Sequence, residues 1–346
     1  MPIDFQSLDH QIRSIQDPEP FSGSIYLTQV DRVLFACSYG FALRSERIPN
    51  RLDTRFQTAS GSKIFTAVAI CQLIETGRLA LDDHIQDCLP VVFPLFDPGI
   101  TVRHLLTHTS GITSYFEEDI DPDYEALWQQ IPVYRMRMPS DFLPLLENKP
   151  MKFRPGERFE YNDGGFALLG SIVEQVGGMP FREYIQQHIF RKAHMVDSGY
   201  FAADRLPSRT ALAYIQDPDG FWRSNIFAVP AIGGGDGGAY VSAQDWYQFW
   251  ITLRTNKLLG EQMTNELLRP QVQTDNPPPY THYGYGVWIN QPEEQPVTLF
   301  VAGYDPGVAM RSAWYPESDL ILTVLGNTAE ATWPLLKVIE SALEQG

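Results

Sequence analysis

Strand-like runs sit at both ends of this chain, and the long stretch between them reads as helices broken by proline. Near the N-terminus, Ile25-Tyr26-Leu27 and Val33-Leu34-Phe35-Ala36-Cys37 are rich in β-branched and aromatic residues, with Gln29-Val30-Asp31-Arg32 between them as a turn. Near the C-terminus, Leu320 to Leu325 is an unbroken apolar run of buried-strand length, and Tyr283 to Ile289 and Ser312 to Tyr315 read as further strands. This distribution predicts an α+β fold in which one sheet domain is built from both chain ends, flanked by helices and interrupted by a mainly helical insertion. The expected boundaries are 1–80 with 232–346 for the sheet domain and 81–231 for the insertion. No internal repeat is visible.

Between the strands, Ile64, Phe65, Val68, Ala69, Leu73 and Ile74 recur so as to keep one helical face apolar, with Gly77 as the stop. Thr101 to Leu106 opens a second helix, ended by Thr109-Ser110-Gly111. A third runs from Gly165 to Val176 before Gly177-Gly178, and a fourth from Phe181 to Phe190. Ser242 and Asp245 have the spacing of a capping box. An amphipathic helix is expected from Trp333 to Leu343, and Asp275 to Tyr280 (DNPPPY) reads as a stiff loop.

Composition excludes several classes of function. The chain of 346 residues is 44% apolar, enough for a sizeable core, and its formal charge is 26 − 42 = −16. Such a charge repels phosphate backbones and no basic cluster offsets it, so nucleic acid is not an expected partner. No apolar run approaches the length of about 20 residues that spans a membrane. The N-terminal residues MPIDFQSLDHQIRSIQDPEP lack the basic start and apolar core of a signal peptide. Cys37, Cys71 and Cys88 form neither an even framework nor a CxxC pair. A reducing, cytoplasmic setting is expected.

The first candidate for chemistry is Thr58-Ala59-Ser60-Gly61-Ser62-Lys63. On a helix, residues three apart face each other and neighbours diverge, so a lysine that activates a serine here would act on Ser60, not Ser62. A helix start also aims free backbone N–H groups at a developing anion. Serine is equally an ordinary helix cap, so this stretch alone leaves the matter open. The second candidate is Tyr161-Asn162-Asp163 before a helix: Tyr161 could carry a proton, and Asp163 could bind a substrate group or simply cap the helix. The third, Gly303-Tyr304-Asp305-Pro306-Gly307, is by itself a turn. Two patterns are set aside. His104 and His108 have metal-ligand spacing but lack the glutamate of HExxH and a third ligand. Gly233, Gly235 and Gly238 match G-x-G-x-x-G, yet the next helix starts late and Leu258 occupies the acidic position.

Taken together, three segments resemble the serine β-lactamase and penicillin-binding-protein superfamily, in its class C-like branch of esterases, D-amino peptidases and β-lactamases. They are the SxxK of Ser60 to Lys63, the run Ile100 to Gly111 (ITVRHLLTHTSG), and Pro155-Gly156-Glu157 leading into Tyr161 and Leu168-Leu169-Gly170. The resemblance covers about residues 22 to 328. It implies a β-lactamase/transpeptidase-like fold with an antiparallel sheet and a cleft between the two regions. It also implies catalysis in which Ser60 forms an acyl-enzyme, Lys63 and Tyr161 share the proton transfers, and the backbone N–H groups of Ser60 and Tyr304 form the oxyanion hole. Substrate would be bound by Asp163 and by Val301-Ala302-Gly303, the third motif. Two departures matter. Asp163 stands where the family has asparagine, and an ionised aspartate only accepts hydrogen bonds and would hold Lys63 charged. Val301 stands where the family has Lys or His, the cation that helps bind a substrate carboxylate.

The expected function is therefore a serine hydrolase acting on a small ester or amide, with weak or no β-lactamase activity and a neutral or cationic acyl substrate. A D-specific peptidase or amidase, or a non-catalytic binding protein on a degenerate hydrolase fold, are the alternatives. No cofactor or metal is expected. The partner is a small-molecule acyl substrate, whose acyl side is set by loops 112–150 and 271–282.

Overall fold

The computed structural model describes residues 4–15, 19–117, 123–291 and 297–345. Of the expected loop 112–150, residues 118–122 lie outside the described residues. An eight-stranded sheet spans both ends of the sequence. In chain order its strands are β1 (Gly23–Gln29), β2 (Arg32–Tyr39), β3 (Val272–Gln273), β4 (His282–Tyr283), β5 (Trp288–Asn290), β6 (Thr298–Asp305), β7 (Val308–Tyr315) and β8 (Leu320–Gly326). Their spatial order is β2-β1-β8-β7-β6-β5-β4-β3, with every pair antiparallel. The two ends meet where β1 pairs with β8, from Gly23 opposite Gly326 to Gln29 opposite Leu320.

The apolar run in β8 follows from burial on both faces. Successive side chains point to opposite sides. Leu320, Leu322 and Val324 pack with Ile25, Leu27 and the terminal helices α1 (Phe5–Ser14) and α6 (Thr332–Gln345). Ile321 and Leu325 join the larger core on the other face. Sequence patterning misses α1, which buries only Leu8 and Ile12 in a polar stretch.

The larger core is centred on α2 (Lys63–Glu75), buried from Lys63 through Leu73. The one apolar face expected here is an underestimate. The helix lies between the sheet and the helices α3 (Val102–Leu106), α4 (Asp163–Gly177) and α5 (Ala243–Arg254), so every side meets protein. It stops as expected: Gly77 has φ 68°, Gly77 N–H donates to Ile74 O, and Arg78 N–H donates to Leu73 O. Gly178, at φ 69°, closes α4 in the same way.

Three local expectations need correction. Tyr283 to Ile289 is a hairpin, not one strand, because Gly286 adopts φ 72° and seats the turn against α2, where a Cβ would lie 3.0 Å from Lys63 O. Asp163 is not the helix cap; Asn162 is, its Oδ1 accepting from Gly165 N–H at 2.8 Å. The Ser242 box is half formed. Ser242 Oγ accepts from Asp245 N–H, but the Asp245 carboxylate turns to Asp197 N–H and Ser198 Oγ, both at 2.7 Å. His104 instead closes a box with Thr101, whose N–H donates to His104 Nδ1 at 3.1 Å.

The glycine run at 233–238 threads between α4 and the start of α2. A Cβ on Gly170 would come within 2.8 Å of Gly235 Cα. Gly170→Ala should therefore destabilise the fold by about 1–3 kcal/mol. A lowered urea midpoint checks this, and an unchanged midpoint would show that the loop yields freely.

Candidate active site

The turn before α2 is built to present one side chain. Residues Ala59–Ser62 form a single 3₁₀ turn in which Ala59 takes φ 43°, a left-handed conformation that a non-glycine residue holds only when its surroundings enforce it. They do. Thr58 N–H and Oγ1 both donate to Ala239 O at 2.9 Å, and Gly238 N–H donates to Ala59 O at 3.1 Å. Ser62 is consumed by this scaffold: its Oγ donates to Ala59 O at 2.9 Å and accepts from Ala239 N–H at 3.1 Å in a fully buried position. Ser60 is half-buried and points into a cleft. Residues three apart eclipse in a 3₁₀ turn, which aligns Ser60 with Lys63.

Lys63 Nζ donates to three acceptors: Ser60 Oγ at 2.9 Å, Asp163 Oδ1 at 2.6 Å and the Asp236 carbonyl at 2.6 Å. An ammonium has three N–H donors, and all three are used. Burial acts to lower the Lys63 pKa, but Asp163, Tyr161 and Asp236 outweigh it and hold the group above the ordinary lysine range. Asp163 occupies the first turn of α4, where the helix dipole also favours a carboxylate. Tyr161 lies two residues earlier and sits beside the Ser60–Lys63 pair, with Lys63 Nζ 5.1 Å from the centre of its ring. Burial raises its phenol and the Lys63 ammonium opposes the rise. Its ring packs against His108, at 4.4 Å, and Trp288, at 5.8 Å.

The third-motif residues have different places. Val301 is buried in the core, and neither it nor Ala302 or Gly303 lines the cleft. Gly303 is the buttress of the Ser60 turn, since a Cβ there would lie 2.2 Å from Thr58 O and 2.8 Å from Gly61 N. β5 pairs β6 only over Thr298–Phe300, so the edge from Val301 to Asp305 faces the Ser60 turn instead of a strand. Tyr304 is exposed beyond it, and its hydroxyl donates to Glu330 Oε1 at 3.0 Å.

The cleft encloses ≈ 580 Å³ of space open to solvent, and Ser60, Tyr115, Asp163, Asp236, Tyr240 and Asp305 are among its lining residues. Its lining carries three carboxylates and no lysine, arginine or histidine among the described residues. No group of three or more His, Cys, Asp or Glu side chains suited to a metal occurs among the described residues.

With this geometry in place, comparison with known proteins is decisive for the family. The family model described as Beta-lactamase matches residues 19–344. The chain belongs to the Beta-lactamase family. The crystal structure of a penicillin-binding protein from Bacillus halodurans is 46% identical, with a TM-score of 0.90, over 96% of this chain and 99% of that one. Esterase EstB of Burkholderia gladioli is 27% identical over 85% of this chain and 82% of its own length. A D-stereospecific amidohydrolase from Streptomyces shares the fold at 23% identity, with a TM-score of 0.79 and 97% and 98% coverage. Relatives thus include a penicillin-binding protein and an esterase, and the fold, shared with the amidohydrolase, is the β-lactamase/transpeptidase-like one.

In this member of the Beta-lactamase family, sequence reasoning missed Asp236, Tyr115 and His108. Asp236 is buried and sits in the glycine run, and its Oδ2 accepts from the Tyr115 hydroxyl. The G-x-G-x-x-G match there is not a nucleotide loop. Its glycines permit close backbone approach: a Cβ on Gly235 would lie 2.3 Å from Phe166 O, and one on Gly237 3.0 Å from Ala59 O. A lone aspartate among five glycines was the available signal.

Burial pushes the Asp236 carboxyl up to about 6; Lys63 opposes the rise, Asp163 adds to it, and the Tyr115 hydrogen bond opposes it. The folded-state value lies above the ordinary 3.8, so the native state keeps its proton longer than the unfolded chain does. The associated stability is present below that ordinary value and lost as pH rises through about 6. Asp236→Asn, which cannot ionise, should be more stable than wild type by about 1–2 kcal/mol at pH 7.5, with the gain vanishing near pH 4. Thermal melts across that range check the sign.

Proposed function

We propose that this chain is a serine hydrolase that cleaves a small ester or amide through an acyl-enzyme on Ser60. The observation that carries this reading is the 2.9 Å contact between Lys63 Nζ and Ser60 Oγ, in a cleft that leaves Ser60 accessible while Ser62 is locked in the scaffold. Lys63 already donates all three of its protons, one of them to Ser60, so the serine's own proton has to leave toward Tyr161. Tyr161 as phenolate takes that proton as Ser60 Oγ attacks the carbonyl carbon, and Lys63 as ammonium stabilises the charges on both oxygens. The tetrahedral oxyanion is held by the backbone N–H groups of Ser60 and Tyr304; losing one such donor costs about 10²–10³ in rate. Tyr161 then returns the proton to the leaving alcohol or amine. Water repeats the sequence to release the acid and restore Ser60.

The cleft wall favours a neutral or cationic substrate. Asp163, Asp236 and Asp305 would repel the carboxylate of a β-lactam, and Val301 supplies no cation to hold one. Short-chain p-nitrophenyl esters should be turned over and a chromogenic cephalosporin scarcely at all. A fluorophosphonate probe should label wild type and Ser62→Ala but not Ser60→Ala. Efficient cephalosporin turnover without ester turnover, or labelling that survives Ser60→Ala, would refute this reading.

Lys63 and Tyr161 are both held above their ordinary values, the first chiefly by Asp163 against burial and the second by burial. The active form has lost one proton from this pair, so kcat/KM should rise with pH through the alkaline range. Asp163→Asn removes the carboxylate that keeps Lys63 charged. It should move the acid limb of the pH–rate profile to lower pH by about one unit or more, whereas a stationary limb would remove Lys63 and Tyr161 from the titration.

A further inference from the structure

His108 lies beneath the cleft and takes no part in the chemistry just described. It adopts φ 55° and is almost fully buried. Its carbonyl accepts from Glu160 N–H at 2.9 Å, and its Nδ1 accepts from Asn162 N–H at 3.0 Å. Between those two bonds lies Tyr161, whose ring packs on the imidazole at 4.4 Å. One residue therefore grips the backbone on both sides of Tyr161 and one face of its ring. Because Nδ1 accepts, the ring proton is on Nε2, which is buried without a hydrogen-bond partner, in a wall of Phe159, Phe166 and Tyr283 rings. A group chosen only to fill this core would not bring an unpaired N–H.

We propose that His108 is the positioning residue for Tyr161, setting the phenol oxygen on the Ser60–Lys63 pair as the neutral, Nε2-protonated tautomer. This rests on the reading of Tyr161 as the base. Imidazolium is incompatible with the site, since it would set an N–H against the Asn162 N–H close to the Lys63 ammonium. Burial foremost, then Lys63, disfavour that form.

The test uses the full chain and a p-nitrophenyl ester. His108→Phe keeps a ring but removes the acceptor, so kcat should fall by about 10²-fold while KM stays within about twofold, because the cleft lining is untouched. His108→Asn suits a left-handed backbone and can accept from Asn162 N–H, so it should recover most of the lost kcat. Nitrogen chemical shifts of the wild-type imidazole at pH 7 should show Nδ1 bare and Nε2 protonated. Wild-type kcat in His108→Phe, a His108→Asn variant no better than His108→Phe, or a proton found on Nδ1 would each overturn the proposal. The nitrogen measurement needs neither turnover nor a folded variant. It can therefore fail while Ser60 hydrolysis stands, and hold if Ser60 proves not to be the nucleophile.

Discussion

The site depends on one buried ammonium. Lys63 draws together three pieces of chain that are far apart in sequence: its own turn through Ser60, the start of α4 through Asp163, and the glycine run through the Asp236 carbonyl. Removing any acceptor would leave a buried charge under-coordinated, a large penalty in a desolvated position. The same requirement explains the glycines around it. Gly237, Gly303 and Gly286 are the points where backbone from other elements comes close to residues 58–63.

That coordination also shapes the chemistry. An asparagine at position 163 would leave Lys63 free to alternate between charged and neutral forms, whereas aspartate fixes it as a cation. In the proposed mechanism the proton traffic then falls on Tyr161, whose ring packs against His108 and Trp288. Val301, where the resemblance places the third-motif cation, faces the core, so this part of the strand supports the Ser60 turn through Gly303 while Asp305 at its end lines the cleft.

Much of this was legible in the residues. The both-ends sheet followed from the position of Leu320 to Leu325 and Ile25 to Leu27, and the helix stops at Gly77 and Gly178 from their left-handed preference. Three-residue spacing points to Ser60 over Ser62, and in the structure Ser62 is engaged with Ala59 and Ala239. What was hidden depends on contacts across long separations. Asp236 looked like punctuation in a flexible run because nothing local says that Lys63 and Tyr115 will meet it. His108 was weighed as a metal ligand because its spacing from His104 is local, while its partner Asn162 lies 54 residues away. The half-formed Ser242 box failed for the same reason: Asp245 finds better partners in a distant segment.

The pairing of β1 with β8 imposes an order on the life of the molecule. Gly23 is made early and waits for Gly326 before its strand has a neighbour on that side. During synthesis the ribosome releases the Ser60 turn first, then α4, then the glycine run, and last the strand that seals the sheet on which they rest. A nascent chain therefore carries a serine and a lysine long before it carries a platform for them, and long-range pairing of this kind is intrinsically slow. The site is assembled only when the chain is complete.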